Sequence, residues 1–507
     1  MTFALSPPFI TSLISLLFLR LLYTAVAKSR KNAKFKSFAL SNHCEPPPLQ
    51  VDMLPYGIDR LAKFVTIKGD ILDDFIAIRY YDTGYTHRFS GVSGEVVCTS
   101  DPQNIQAILA LRFADFELGA TRKENFAPLL GSGIFTSDGL EWEHSRAFLR
   151  PQFSREQISD LESAERHIVN LFRAIGPVAE GMWTKEVDLL ELFYRFTLDT
   201  ATEFLFGEST ESQVAELSKK QGGGIDKDGP ENQLKSSPKN PEPEMDFATA
   251  FTTAQDFLSW QLRFPSPLWP IIQLPIFSPY RRFSQALTIV HRFANKYVDI
   301  ALKSAAKKPA MASFPPSSEK GGPRERFVML EALAEKTQDR DQLRDQLLQI
   351  LLAGRDTTAS LLSWSFALLA QNPAIFSHLR SSILSTFGSA EPPDNSDNPI
   401  TFTALKSCRP LSHFISEVLR LYPVLPCNFR VATHNTILPT GGGPDGKSPI
   451  AIREGQLVTY SVYVMHRRTD IWGEDAAEFK PERWEGRKAG WEYLPFNGGP
   501  RICLGRE

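Results

Sequence analysis

The stretch Phe496–Gly505, "FNGGPRICLG", surrounds one cysteine with glycines, a proline and an arginine. Glycine reaches positive φ and lets backbone come close to a flat ligand. Gly498, Gly499 and Gly505 can therefore turn backbone amides toward the Cys503 sulfur. A thiolate stays anionic only where N–H groups or positive charge stabilise it. Arg501, two residues before the cysteine, is placed to meet an anionic group. Those are the requirements of a cysteine thiolate on haem iron with an arginine on a propionate. By itself the segment also fits an ordinary glycine-rich turn around an inert cysteine.

Composition narrows the choices. The 507 residues can bury a large core, and 42% apolar with 22% charged residues place the chain among globular proteins. Length alone suggests about three domains. A net charge of -2 gives no nucleic-acid signal. Cys44, Cys98, Cys408, Cys427 and Cys503 are scattered and odd in number, which fits a reducing compartment with any special cysteine acting as ligand or nucleophile. The histidines lie too far apart for an H-E-x-x-H zinc motif.

The N-terminus has no charged side chain from Met1 to Leu19, and Lys28, Arg30, Lys31, Lys34 and Lys36 follow the apolar run. An apolar segment of ~20 residues can span a bilayer, with its basic flank cytoplasmic. Arg20 lies near one end, where it can snorkel. Ala25-Val26-Ala27 has the form of a signal-peptidase site, but basic residues are missing before the apolar run and crowded after it, which favours a retained anchor. The expectation is a membrane anchor over 1–27, a basic and proline-rich linker over 28–50, and one catalytic domain over 51–507.

Short β-branched and aromatic runs, "FVTIKG", "FIAIRYY" and "GEVVCTS", predict a small antiparallel sheet within 63–98. Helical patterns dominate after Asp101, with strand-like pieces near 448–464. No repeat of 20–50 residues is present. Gln221–Glu244 is almost devoid of apolar residues and predicts disorder, with shorter loops at Ser313–Arg326 and Gly388–Pro399. "RFPSPLWPIIQLPIFSPY" (Arg263–Tyr280) is proline-broken yet strongly apolar. It either joins the core or meets a membrane or an apolar entrance.

Phe496, Gly499, Arg501, Cys503 and Gly505 resemble the F-x-x-G-x-R-x-C-x-G signature of the cytochrome P-450 superfamily, and three further signatures follow in that family's order. In "LLQILLAGRDTTASLLSWSFALLAQNP" (347–373), leucines and alanines on nearly all faces predict a buried helix stopped at Asn372-Pro373. Asp356 and Thr357 stand in its middle, where isolated polar groups are costly or else line a narrow solvated stripe. The segment resembles the A-G-x-D-T motif, which implies that Asp356 and Thr357 help deliver protons during oxygen activation. Glu417 and Arg420 in "SEVLRLYP" share one helix face; alone they read as a surface ion pair, but with Arg483 of "FKPERW" they resemble the family's buried Glu–Arg–Arg network. Trp142 and Arg146 in "GLEWEHSRAFLRPQF" read as one face of an amphipathic helix or, by resemblance, as a propionate-holding pair. Arg430 of "PCNFRVA" resembles another propionate contact.

The resemblance covers nearly the whole chain from residue 50. It implies a mainly α fold with a small β lobe, haem b as cofactor and Cys503 as axial ligand. It further implies monooxygenation of a lipophilic substrate, with electrons from an NADPH-dependent flavoprotein reductase. No G-x-G-x-x-G segment follows a predicted strand, so no flavin domain is present in the chain. Arg467, Arg468, Lys480, Arg487 and Lys488 could serve an acidic partner or simply be solvated. "AGRDTTASLLSW", "FAPLLGSGIFTSDGLEWEHSRAFLRPQFSREQ" and "HRRTDIWGEDAAEFKPERW" look closest to the fungal alkane and fatty-acid hydroxylases, on the endoplasmic reticulum membrane with the catalytic domain cytosolic. A tailoring oxygenase for a lipophilic polyketide or terpenoid is the alternative substrate reading. A haem-thiolate isomerase or dehydratase fits Asp356-Thr357 less well. The family continues past the cysteine for about another helix and a strand pair. The expectation is therefore of a C-terminally incomplete chain, with an inactive protein as second alternative, because the missing helix dipole helps stabilise the thiolate.

Overall fold

The computed structural model describes residues 7–92, 94–159, 161–178, 183–214, 245–307, 328–388 and 400–506. The chain forms two compact units. One comprises Met1–Asp59, Gly69–Glu117 and Asn428–Ser461; the other comprises Arg60–Lys68, Leu118–Cys427 and Val462–Glu507.

The first unit carries the sheets. Strands β1 (Leu49–Gln50), β2 (Thr86–Gly91), β3 (Gly94–Thr99), β4 (Phe116–Glu117), β5 (Cys427–Ala432), β6 (Thr436–Gly442), β7 (Ser448–Ile452) and β8 (Leu457–Ser461) form a six-stranded sheet ordered β1-β2-β3-β8-β5-β4 and a separate β6-β7 pair. The β2-β3 hairpin pairs Thr86 with Thr99, and β3 runs parallel to β8 with Val96 opposite Leu457. Helix α1 (Pro7–Ser41) continues through the basic stretch to Ser41, so much of the expected linker is helical. The Arg453 guanidinium lies 4.3 Å from the Phe35 ring of this helix. Prolines 46–48 lie along the sheet, where Arg88 donates to the Pro47 and Pro48 carbonyls. Residues 1–6, and the side chains of most of the apolar run, lie outside the described residues; among those described, no helix is long and apolar enough to cross a membrane.

Two of the expected strands are helical. "FVTIKG" ends helix α2 (Ile58–Thr66), and "FIAIRYY" occupies a π turn running into helix α3 (Ile78–Thr83). Asp70 Oδ1 accepts from the Leu72 and Asp73 amides at 2.8 and 3.2 Å, an N-terminal cap that offsets the β-branched content. One turn on, the Arg79 guanidinium covers the Phe75 ring at 3.4 Å. "GEVVCT" is strand β3, as expected.

The second unit is helical. Helices α4 (Gly139–Leu149), α5 (Leu189–Phe206), α6 (Phe247–Gln261), α7 (Ser278–Lys307), α8 (Arg340–Gln371) and α9 (Arg409–Leu421) supply its main elements. Leu198, Leu205, Phe251, Leu258, Val290, Leu347 and Leu351 meet in one core, each fully buried. Burying each such side chain stabilises the fold by roughly 1.5–3 kcal/mol. Helix α8 starts on an Asp339 cap and stops at Gln371, with Asn372 Nδ2 on the Leu368 carbonyl and Pro373 opening the next helix. It is buried all round over 347–351 but carries a solvent-facing stripe at Gly354 and Thr358. The stretch 263–280 is partly in the core and partly at the surface. Trp269 is buried and its indole donates to the Gln261 and Phe264 carbonyls, while Ile271, Ile276 and Phe277 are exposed. The loops expected at 221–244 and 313–326, and all but Gly388 of that at 388–399, lie outside the described residues.

Polar residues of α8 hold the loop that precedes α4. Asp345 accepts from the Ser132 amide at 2.9 Å, and Gln349 bonds the Phe135 amide and the Leu130 carbonyl. Gly131 sits at φ +59°, and a Cβ there would stand 1.8 Å from the Asp345 carboxylate. Gly446 has φ +68° with open space around it. Gly446→Ala is therefore expected to cost only the backbone strain of roughly 1–2 kcal/mol. Gly131→Ala should cost more and lower the thermal midpoint further; equal midpoints for the two variants would remove the clash from the argument.

Candidate active site

Cys503 stands on an accessible loop whose shape comes from its glycines. Gly499 adopts φ +66°, and a Cβ on Gly498 would meet the Trp491 ring at 2.6 Å. The Cys503 amide donates to the Phe496 carbonyl at 3.0 Å and closes the loop. The cysteine side chain is exposed, while neighbouring Leu504 packs against the helical core. Protein around the sulfur still desolvates it enough to push the thiol pKa up. The Gly505 N–H, Arg146 and Arg506 pull it back down.

Three side chains from the sequence motifs gather beside it. Trp142 is buried on α4, with the Arg501 guanidinium 4.3 Å and the Arg146 guanidinium 5.9 Å from its ring. Burial holds the Arg146 pKa down, with Arg150 adding to the shift and Cys503 opposing it. Arg501 donates to Asp138 Oδ1 at 2.7 Å and to the Ser137 carbonyl at 3.1 Å, on the loop that Asp345 and Gln349 hold. Sequence reasoning missed Asp138, which also accepts from the Leu118 and Gly119 amides. Phe496 is half-exposed on the same loop. Among the described residues no cluster of histidine, cysteine and acidic side chains could hold a metal ion, and all five cysteines are free thiols.

Arg430 belongs to the other unit, on β5. It is buried, donates to the Phe429 carbonyl at 2.7 Å and lies 5.8 Å from the Tyr460 ring. Asp356 and Thr357 form a group of their own on α8. Thr357 Oγ1 donates to the Ala353 carbonyl at 2.6 Å. Asp356 accepts from Arg355, whose other nitrogen donates to Thr252 of α6 at 2.7 Å. Burial pushes the Asp356 carboxyl pKa up, with Arg355 opposing.

Glu417, Arg420 and Arg483 do form the expected buried network. Glu417 and Arg420 exchange two bonds of 2.8 Å with both side chains fully buried, and Arg483 reaches Glu417 at 3.4 Å. Its further members were not read from the sequence: the Trp484 indole donates to Glu417 at 3.0 Å, and Asp475 accepts from Arg483 at 2.8 Å. No local spacing signals either contact, because both depend on how 472–484 folds back on α9. Of the basic residues expected near the haem loop, Lys488 is exposed and the other four have partners within the chain. Arg468 is paired with Asp470, Lys480 with Asp475 and Glu478, and the Arg467 and Arg487 guanidiniums lie over Tyr463 and Trp472.

The cytochrome P-450 family profile matches residues 77–507, most of the chain. The chain belongs to the cytochrome P-450 family. A cytochrome P-450 monooxygenase of a Fusarium species is 44% identical over 492 residues, covering 96% of this chain and 80% of that protein. Cytochrome P-450 52A5 of Candida maltosa is 43% identical over 459 residues, covering 90% of this chain and 79% of its own. Cytochrome P-450 52A12 of Debaryomyces hansenii is 43% identical over 472 residues, with coverages of 92% and 83%. This is a monooxygenase family that uses haem b with a cysteine thiolate as axial ligand, together with a reductase partner and a lipophilic substrate.

Removing Glu417 leaves the buried Arg420 guanidinium without its acid partner, although Arg483 keeps Asp475. Glu417→Ala should destabilise the chain by about 3–5 kcal/mol, read as soluble yield and thermal midpoint. A midpoint within a degree or two of the parent would show that the network is dispensable.

Proposed function

We propose that this chain hydroxylates long-chain fatty acids or alkanes, with Cys503 as the haem ligand. The observation that carries the reading is the accessible Cys503 sulfur, with the Gly505 N–H on it and the Arg146–Trp142–Arg501 group beside it. One thiol and two guanidiniums around an indole fit a planar metal macrocycle that carries carboxylates. Arg501, Arg146 and Trp142 would hold the propionates. Phe496, Gly499 and Gly505 would shape the loop against the ring.

Bound haem supplies the activation of dioxygen, one atom of which enters the substrate. The chain's own residues position and protonate. The Thr357 hydroxyl is turned to the Ala353 carbonyl, which leaves its lone pairs free to accept a proton donor. Asp356, with its carboxyl pKa raised by burial, can hold a proton beside it. The 52A relatives, together with the sequence stretches that look like alkane and fatty-acid hydroxylases, support the substrate class.

Exposed Ile271, Leu274, Ile276 and Phe277 support a membrane-dipping surface over 268–277, and the apolar N-terminal run supports an anchor. The family resemblance supports the endoplasmic reticulum membrane, and the basic flank supports a cytosolic catalytic domain. An NADPH-dependent flavoprotein reductase is the electron donor.

Cys503→Ala is expected to abolish the thiolate-type spectrum of the reduced carbon monoxide complex, whereas Cys427→Ala should leave it intact. With reductase and NADPH, a panel of fatty acids should shift the haem spectrum and turn over. If only terpenoids or polyketides do so, the substrate assignment fails. In the chain lacking residues 1–27, replacing Ile276 and Phe277 together by Glu should weaken partition onto phosphatidylcholine vesicles roughly tenfold or more. An unchanged partition would exclude this surface from membrane contact.

A further inference from the structure

His466 has no part in the family motifs quoted above, yet it is completely buried between the Glu417–Arg420 helix and the start of the cysteine loop. Its Nδ1 lies 3.0 Å from the Arg420 carbonyl, and the Leu494 amide donates to its Nε2 at 2.9 Å. A backbone carbonyl can only accept and an amide can only donate. The ring is therefore the neutral Nδ1–H tautomer, donating to Arg420 and accepting from Leu494. Burial holds its pKa down to about 3, in keeping with that state. The ring also stacks on Tyr493 at 5.3 Å and meets Trp472 edge-on at 6.2 Å. Beyond Leu494 the bonding continues into the loop: the Asn497 amide donates to the Leu494 carbonyl, and the Cys503 amide to the Phe496 carbonyl.

We infer that His466 is a positioning residue: it fixes the Leu494 end of the loop against α9, and so sets where Cys503 presents its sulfur. The inference rests on the proposed role of Cys503 as haem ligand. The neighbouring Tyr493 hydroxyl donates to the Ser416 carbonyl at 3.1 Å, so the loop has two ties to the same helix. Only the histidine tie reaches the loop backbone itself. Its loss would leave the buried Leu494 N–H without an acceptor, while α9 keeps its ion pair.

The two ring nitrogens make different demands on a replacement. Gln carries a donor and an acceptor about as far apart as the ring nitrogens, and can serve both partners. Asn can reach the Arg420 carbonyl but stops short of Leu494. Two readouts apply to the haem-loaded chain: hydrogen exchange of the Leu494 amide, and the ratio of thiolate-type to thiol-type spectrum in the reduced carbon monoxide complex. His466→Asn should speed exchange at Leu494 roughly tenfold and raise the thiol-type fraction, and His466→Gln should restore both. If the Asn variant matches the parent in either readout, the inference is overturned. It is also overturned if Asn and Gln are equally impaired, since that would mark a purely structural role. Cys503→Ala separates this inference from the ligand assignment. That variant should lose the thiolate-type spectrum while Leu494 exchange stays at the parent rate. A retained spectrum there would sink the ligand assignment, whatever His466 does.

Discussion

Glu417 and Arg420 face one another on a single helix with no solvent on either side chain. A buried ion pair is a poor source of stability unless its remaining hydrogen-bonding capacity is filled, because desolvation offsets much of the Coulomb attraction. Here it is filled. Glu417 accepts from Arg420, Arg483, Trp484 and the Lys480 amide, and Arg420 also donates to the carbonyls of His466, Ala476 and Glu478. The pair therefore acts as an assembly point for the irregular chain from 466 to 484. Hydrogen bonds to main-chain carbonyls do the work that a sheet ladder would do elsewhere. The structure of the cysteine loop is downstream of that arrangement.

A second line of support comes from the long helix α8. Its buried Asp345 and Gln349 hold the 130–136 loop, and the segment just beyond, at Ser137 and Asp138, holds Arg501. One end of the site is thus set by α9 and the other by α8. Desolvation dominates the electrostatics of two groups here: it raises the pKa of the Cys503 thiol and of the Asp356 carboxyl, with arginines opposing it in each case. Arg146 and Arg506 thus favour the anionic form of Cys503, and Arg355 that of Asp356.

Much of this was legible in the order of residues. Fixed local spacing carries the cysteine loop, the long helix with its Asn372-Pro373 stop, the Trp142–Arg146 pair and the Glu417–Arg420 pair. The misread parts depend on competition or on distance. "FIAIRYY" looks like a strand because β-branched and aromatic residues fit a pleated surface, but an aspartate cap and an arginine over Phe75 made the helix better satisfied. The intramolecular partners of Arg468 and Lys480 could not be read from the sequence either, because only the fold brings them together. Asp138, Asp475 and His466 matter through contacts with residues far away in sequence, and nothing in their own neighbourhoods announces it.

The contrast between Cys503 and Leu504 has a further consequence. Adjacent residues meet different surroundings, the half-buried leucine packed against the helical core and the cysteine exposed on the loop. A slip of one residue along the backbone would turn the cysteine to the core and the leucine to water, at a cost below the roughly 1.5–3 kcal/mol of a fully buried leucine. A single aliphatic side chain thus serves as an alignment pin. The reactive atom keeps its register because its neighbour has only one place to go.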